Sequence, residues 1–235
     1  MSYLQARKAL HRYANSKKAQ ELRRFFKTAK GEYAEGDVFI GVMVPQTRVV
    51  AKKYKKLAFS DLRKLISSKI HEERLLGLII LVQQFKVSSK DHQKKVYEFY
   101  LENMRYINNW DLVDVTCRDI VGAYLDNKPR KLLYKLARSN VLWERRIAII
   151  STFYFIRNGE FSDTIAISEV LLNDREDLLH KAVGWALREV GKKDVKTLKV
   201  FLDKHSIVMP RTMLRYAIER LSVRERRYYM NLKNR

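Results

Sequence analysis

Residues 142–156, LWERRIAIISTFYFI, decide the fold class, because their apolar side chains recur at the spacing of an α-helix. The members of this stripe lie four, three and four residues apart, at Trp143, Ile147, Ile150 and Tyr154. Similar amphipathic stripes follow along the chain at 72–85, 94–105, 110–124, 130–138, 161–173, 176–190, 195–205 and 210–221. No window shows the sustained alternation of a β-strand. The sequence therefore predicts an all-α protein.

Comparable helices recur with a loose period. They open near Glu72, Trp110, Glu144 and Leu179, so successive starts lie 38, 34 and 35 residues apart. A period in this range is typical of two-helix solenoid repeats, whose apolar faces are buried only when neighbouring pairs stack. We therefore predict one domain, residues 1–235, built as an α-solenoid of about six two-helix repeats with a concave face. An irregular helical bundle is the alternative.

Charge indicates the class of partner. Lys and Arg total 48 against 26 acidic residues, which gives a formal net charge of +22. Residues 1–30 contain nine basic side chains and one acid, Glu21, and residues 211–235 contain eight basic side chains. A third basic cluster comprises Lys52, Lys53, Lys55 and Lys56. An excess of this size repels itself unless a polyanion neutralises it, which predicts nucleic acid first and an anionic membrane second.

Cysteine usage and hydropathy indicate the compartment. Cys117 is the only cysteine, so an intramolecular disulfide is impossible and a reducing compartment fits. The longest apolar run, Leu75–Val82, is too short to span a bilayer, and the first residues lack the apolar core of a signal peptide. We expect a cytoplasmic, nucleoid-associated monomer with no membrane partner.

The residues available for chemistry exclude several classes of site. One cysteine and five histidines without ligand spacing predict no metal centre; the histidines are His11, His71, His92, His180 and His205. The glycines are isolated and form no phosphate-binding loop. We expect no cofactor, so that any catalysis would depend on carboxylates, aromatic rings and basic side chains.

One set of such residues recurs near the repeat period. Trp110 and Asp114 lie at i and i+4 within WDLVD, on one face of a helix. Arg146 follows Trp110 by 36 residues, and Trp185 follows Arg146 by 39. In a solenoid this recurrence would place them side by side on one surface. Singly, each has an ordinary reading: tryptophan as core filler, Asp111 or Asp114 as a helix-start acid, and Arg146 as an ion-pair partner.

Several motifs resemble the DNA alkylation repair enzymes, the AlkD-type alkylpurine DNA glycosylases built from HEAT-like repeats. They are WDLVD at 110–114, WERRIAII at 143–150 and KAVGWALRE at 181–189. The segment GVMVPQTRVVAKKY at 41–54 is similar to an early family motif, G-hydrophobic-x-x-P-x-x-R, whose arginine is Arg48 here. The resemblance extends from about Ala19 to Leu221, and the order and spacing of the motifs make it specific.

The resemblance implies a monofunctional glycosylase that hydrolyses the N-glycosidic bond of cationic N3- or N7-alkylated purines in double-stranded DNA. It implies that Trp110 and Trp185 are aromatic walls beside the lesion and that Asp114 is the catalytic carboxylate. Phe25 stands where better-studied members carry Tyr, so the ring is kept and a hydroxyl is lost. The implied DNA-binding residues are Phe25, Arg48, Arg146, Lys181 and Arg188.

These residue types suit the implied reaction. An alkylated purine is already cationic, so it needs no acid to leave, and positive charge moves to the sugar as the bond breaks. A carboxylate stabilises that charge and orients a water molecule. One carboxylate would therefore suffice where sugar hydrolases normally need two.

Two other functions stay open on the sequence. A non-catalytic HEAT-repeat protein that binds branched or damaged DNA would share the fold and charge but would not need an intact catalytic set. An RNA-binding or protein-scaffold solenoid is the third candidate, although scaffolds rarely need such basicity and no RNA-specific motif is present.

Overall fold

The computed structural model describes residues 1–232, and this range contains helices and no β-strand. The all-α prediction is therefore confirmed. Within these residues, one isolated β-bridge joins Val38 to Ile70. No helix in the described range is long and apolar enough to cross a membrane. Lys233 and Arg235, which belong to the C-terminal basic cluster, lie outside the described residues.

The helices fall into two compact units, Met1–Ile120 and a second unit that begins at Val121. The α-helices of the first unit are α1 (Tyr3–His11), α2 (Ser16–Phe25), α3 (Val44–Lys53), α4 (Phe59–Ile66), α5 (His71–Lys86), α6 (Lys90–Glu102) and α7 (Trp110–Asp114). A 3₁₀ turn spans Met104–Tyr106, and a π-helical segment spans Arg118–Gly122. The second unit continues with α8 (Lys131–Ala137), α9 (Leu142–Ser151), α10 (Phe153–Arg157), α11 (Ser162–Val170), α12 (Asp177–Lys193), α13 (Val195–His205), α14 (Arg211–Ala217) and α15 (Val223–Asn231). The solenoid and the single-domain organisation stay predictions.

Each unit is organised around one long helix. In the first unit α5 packs against α3, α4 and α6, and nearly every side chain from its first residue to Val82 is buried. A helix that is apolar all round has to be enclosed by its neighbours. In the second unit α12 packs against α9, α13 and α14, and its apolar side chains between Leu179 and Val190 are buried apart from Trp185. These two helices carry or support most of the predicted site.

The predicted helix at 110–124 is confirmed in its extent but is interrupted, because α7 ends at Asp114 and helical structure, partly π-helical, resumes at Cys117. Between them, the hydroxyl of Thr116 donates to the carbonyl oxygen of Leu112 at 2.6 Å. Such a bond to the residue four positions earlier competes with the backbone ladder and bends helices. The break leaves Asp114 at the end of a short helix instead of in the middle of a long one.

The amphipathic segment at residues 142–156 is interrupted in the same way. Helix α9 ends at Ser151, and α10 begins at Phe153. The hydroxyl of Thr152 donates to the carbonyl oxygen of Ile149 at 2.7 Å. The amphipathic spacing predicted the helical state correctly but not the break, which depends on a side-chain bond that periodicity does not register.

Candidate functional site

Trp110 opens α7 and is half-buried. The side chain of Asn109 caps the helix, and its Oδ1 accepts a hydrogen bond from the Trp110 backbone N–H at 2.8 Å. Oδ1 of Asp111 accepts from the N–H of Leu112 at the same distance. Side chains on both sides of Trp110 therefore satisfy N–H groups that a helix start would otherwise leave unpaired.

Aromatic rings hold the indole of Trp110. Phe26 stacks on it, with ring centroids 5.2 Å apart and planes inclined by 19°. Phe39 stacks on Phe26 at 5.0 Å, so the stack continues into the buried interior. Phe25 meets Trp110 edge-on at 5.9 Å and is 64% exposed. We call Phe25, Phe26, Phe39 and Trp110 the Trp110 cluster; it fixes one side of an indole whose remaining surface is partly accessible.

Asp114 ends α7, one helical turn beyond Trp110, and is half-buried. It lies near Tyr100, a fully buried residue whose hydroxyl is 3.0 Å from Thr116 Oγ1. Burial raises the pKa of Tyr100 well above its ordinary value, and the neighbouring Cys117 and Asp114 add to this effect. The phenol therefore stays protonated, and it donates to Thr116, whose own proton goes to the backbone of α7. This chain of bonds supports the helix end that carries the carboxylate.

In the second unit, Trp185 lies in the middle of α12 and is also half-buried. Its Nε1 donates to Glu189 Oε1 at 3.3 Å, one turn further along the helix. Phe153 packs against its ring edge-on at 4.6 Å. Lys192 Nζ donates to the same oxygen of Glu189 at 2.7 Å. Trp185 is therefore held by packing on one side and by a charged hydrogen-bond acceptor on the other.

Two predicted phosphate contacts on α12 already have carboxylate partners. Lys181 Nζ lies 2.7 Å from Asp177 Oδ2. Arg188 forms an ion pair with Glu219, and its Nε lies 3.7 Å from Glu189 Oε1. A phosphate that binds here has to compete with these carboxylates or share the cations with them.

Arg146 is only 5% exposed. Its Nη1 donates to the backbone carbonyl oxygen of Leu178 at 2.7 Å, which ties α9 to the first turn of α12. Arg48, by contrast, is exposed on α3. The role of both arginines as DNA contacts stays a prediction.

The structure groups the predicted site residues by unit. In the first unit, Trp110 and Asp114 share α7 and Phe25 touches Trp110. In the second unit, Lys181, Trp185 and Arg188 share α12. That all of them lie on one surface, as the repeat spacing suggests, stays a prediction. Among residues 1–232, no group of three or more His, Cys, Asp or Glu side chains could hold a metal ion.

Sequence reasoning missed the residues beneath Trp110. Phe26, Phe39 and His71 carry no motif, and the sequence gives Asp111 no role beyond that of a helix-start acid. A usable signal was present at 71–74, where His-Glu-Glu-Arg precedes an apolar run. A helix enclosed on all sides also buries its first turn, and buried charges need partners. All four of these residues are buried.

Comparison with known proteins gives consistent results. A family model described as DNA alkylation repair enzyme matches residues 6–221. A solved structure described as a predicted DNA alkylation repair enzyme from Enterococcus faecalis superposes with a TM-score of 0.68. It is 16% identical in sequence, and the match covers 89% of this chain and 97% of that one, which shows a shared fold. A search of curated protein sequences finds no significant match.

Proposed function

This chain belongs to the DNA alkylation repair enzyme family, and we propose that it is a monofunctional DNA glycosylase. Its substrates are cationic N3- and N7-alkylated purines in double-stranded DNA, and its product is an abasic site. One observation carries the proposal: a half-buried Trp110, backed by Phe26, shares the short helix α7 with the carboxylate of Asp114. An indole face and a carboxylate one turn apart suit a reaction in which positive charge moves from a base to its sugar.

In the proposed mechanism Asp114 acts on the sugar. Breaking the glycosidic bond releases a neutral base and leaves an oxocarbenium-like sugar. The carboxylate stabilises that developing charge and orients a water molecule for attack at C1′. Because the charge on the sugar exists only as the bond breaks, Asp114 lowers the barrier more than it strengthens binding.

The two tryptophans bind the lesion nucleotide in this proposal. An indole face attracts an adjacent cation by roughly 0.5–2 kcal/mol, which favours alkylated over normal purines. Phe26 already occupies one face of Trp110, so the nucleotide contacts the remainder of the ring. Phe25 extends the apolar surface at the edge of Trp110.

We further propose that the helices form a HEAT-like solenoid whose concave groove holds the DNA, and that the protein acts as a cytoplasmic, nucleoid-associated monomer. The repeat spacing, the net charge of +22 and the family match support this arrangement. Arg48, Arg146, Lys181 and Arg188 are the proposed contacts to the DNA.

The decisive experiment measures the release of 7-methylguanine and 3-methyladenine from methylated DNA. Asp114→Asn should slow base release by about 10²–10³-fold, the typical effect of removing one preorganised electrostatic group. DNA affinity should stay the same or rise, because a negative charge near phosphates is lost. Asp91→Asn is the matched control: Asp91 is an exposed acid on α6 in the same unit, and the substitution changes charge and shape identically.

Two results would contradict the proposal. Equal losses in Asp114→Asn and Asp91→Asn would remove Asp114 from the chemistry. A wild-type protein that binds DNA tightly and never releases a methylated purine would instead be a non-catalytic HEAT-repeat protein for branched or damaged DNA. Asp111→Asn is unsuitable as a control, because Asp111 is buried and bonded to His71.

A further inference from the structure

His71, the first residue of α5, is 2% exposed, and both of its ring nitrogens face carboxylates. Nε2 lies 2.8 Å from Asp111 Oδ2, and Nδ1 lies 3.3 Å from Asp37 Oδ2. Because an ionised carboxylate only accepts hydrogen bonds, we assign both ring nitrogens as donors and the ring as an imidazolium cation. The other oxygen of Asp37 accepts from Arg74 Nη2 at 2.7 Å. Two cations and two anions therefore meet beneath α7.

The electrostatic environment favours the charged form of these groups. Burial alone would lower the pKa of His71, but the charge of Asp111 and the hydrogen bonds to Asp111 and Asp37 outweigh it and raise the pKa. Burial alone would also raise the pKa of Asp37. The hydrogen bond from His71 and the charge of Arg74 outweigh that effect and lower the pKa of Asp37. Arg74 Nη2 also lies 3.5 Å from His71 Nδ1, a contact between cations that Asp37 bridges.

This charged group holds both sequence neighbours of Trp110. Asp111 follows Trp110 and bonds to His71. Asn109 precedes Trp110, and its Nδ2 donates to Asp37 Oδ2 at 3.2 Å while its Oδ1 accepts the Trp110 N–H. The backbone on either side of the indole is therefore attached to the same buried ion group.

A second connection runs through the aromatic rings. The His71 ring stacks on Phe39 with centroids 4.5 Å apart and lies 5.0 Å from Phe26. Phe26 in turn stacks on Trp110. The imidazolium thus supports the indole through the backbone of α7 and also through the Trp110 cluster.

A contribution to stability does not by itself explain why this charged group is buried next to α7. Moving ions out of water costs several kcal/mol each, and apolar side chains of similar volume are often as stabilising. The group is also imperfectly satisfied, because Nε of Arg74 is buried without a hydrogen-bond partner. What such a network does supply is one defined geometry, since its bonds are directional where apolar contacts are not.

We infer that the ion-bonded chain Asp37–His71–Asp111 sets the orientation of Trp110, and that His71 is a positioning residue for base excision. The catalytic part of this inference rests on the proposed function. The structural part, the control of the indole by His71, does not.

The test compares two histidine variants of the full chain. His71→Gln removes the cation and leaves an amide that cannot donate to both carboxylates in the same geometry. His11→Gln is the matched control, because His11 Nε2 also bonds to a buried carboxylate, Glu73, at 2.6 Å in the same unit. That carboxylate bonds to Arg7 and Ser68 and not to the neighbours of the indole.

The first measurement needs no activity. Trp143→Phe and Trp185→Phe leave Trp110 as the only fluorophore of the three tryptophans. In this background His71→Gln should shift the emission maximum and increase quenching by acrylamide, whereas His11→Gln should leave both unchanged. Unchanged emission and quenching in a folded His71→Gln protein would overturn the inference.

The second measurement is single-turnover base release from methylated DNA, with all three wild-type tryptophans present and protein in excess. His71→Gln should lower the rate by up to about a hundredfold, the cost expected when a group that positions the substrate is misplaced by about 1 Å. DNA affinity should change little, because phosphate contacts dominate it, and His11→Gln should change neither quantity. An equal loss of rate in both variants would show a general loss of structure and reject a positioning role.

The two measurements separate this inference from the proposed function. If the wild-type protein releases no base, the glycosylase proposal fails and the fluorescence of Trp110 still decides the role of His71. If His71→Gln does not fold, Asp111→Asn tests the same bond, because it keeps the shape of the side chain and loses its charge. A folded Asp111→Asn protein with wild-type Trp110 emission would then reject the inference.

Discussion

Glu72 should be one of the strongest single contributors to the stability of the first unit. It is the second residue of α5 and is buried, and its Oε1 accepts hydrogen bonds from three consecutive backbone N–H groups. The distances are 3.1 Å to Ile40, 2.8 Å to Gly41 and 3.2 Å to Val42. These bonds hold the loop that leads into α3.

The expected loss of stability depends on which backbone N–H groups each variant leaves without a hydrogen-bond acceptor. Glu72→Ala strands the buried N–H groups of Gly41 and Val42, at about 1–3 kcal/mol each, for a loss of about 2–6 kcal/mol in the free energy of unfolding. In Glu72→Gln, the amide oxygen can take the place of Oε1 and accept all three bonds. The amide NH₂ takes the place of Oε2, which also accepts from the Ile40 N–H at 3.1 Å, so this second contact and the charge assistance are lost. A smaller desolvation cost partly offsets these losses, and we expect about 1–2 kcal/mol.

Urea unfolding followed by circular dichroism gives both values by linear extrapolation. The control is Glu102→Ala in the same unit, because Glu102 is 59% exposed and its ion pair with Arg63 lies at the surface. Such a pair contributes at most about 1 kcal/mol. The reasoning fails if Glu72→Ala costs no more than Glu102→Ala, or if the alanine and glutamine variants of Glu72 are equally stable.

Three further predictions concern charge. Because the pKa of His71 is raised, its ion pairs contribute fully to the free energy of unfolding below pH 6.5, and this contribution is lost as pH rises through the folded-state pKa. Because the pKa of Asp37 is lowered, its contribution is present above pH 3.8 and is lost as pH falls through the folded-state pKa of Asp37. Urea unfolding should therefore show stability falling on the alkaline side, with a flatter decline in His71→Gln; parallel curves would contradict this. Glu219→Gln releases Arg188 from its ion pair and should tighten DNA binding by about two- to fivefold in a titration at low salt; weaker binding would show that Arg188 does not face the DNA. Finally, if about six phosphates are neutralised, the log–log salt dependence of DNA affinity should have a slope near −5, and a slope near zero would remove nucleic acid as the partner.

The local features of this protein could be predicted from its sequence. Helical spacing predicted the all-α class, because a helix places residues three and four apart on one face whatever surrounds it. The same rule predicted that Trp110 and Asp114 lie on one face of a helix, and they share α7. The net charge likewise indicated a polyanionic partner without knowledge of the fold, because net charge is a sum over residues and does not depend on which residues are in contact.

The supports of that site came only from the tertiary structure. Asn109 and Asp37 are 72 residues apart in sequence, and His71 and Asp111 are 40 apart. No periodicity links such positions, because they meet only after α5, α7 and the segment between α2 and α3 have packed together. Sequence spacing likewise could not show that Arg146 is buried. Helical periodicity is a local property of the backbone, whereas the partner of a buried charge is chosen by whichever distant segment the fold brings against it.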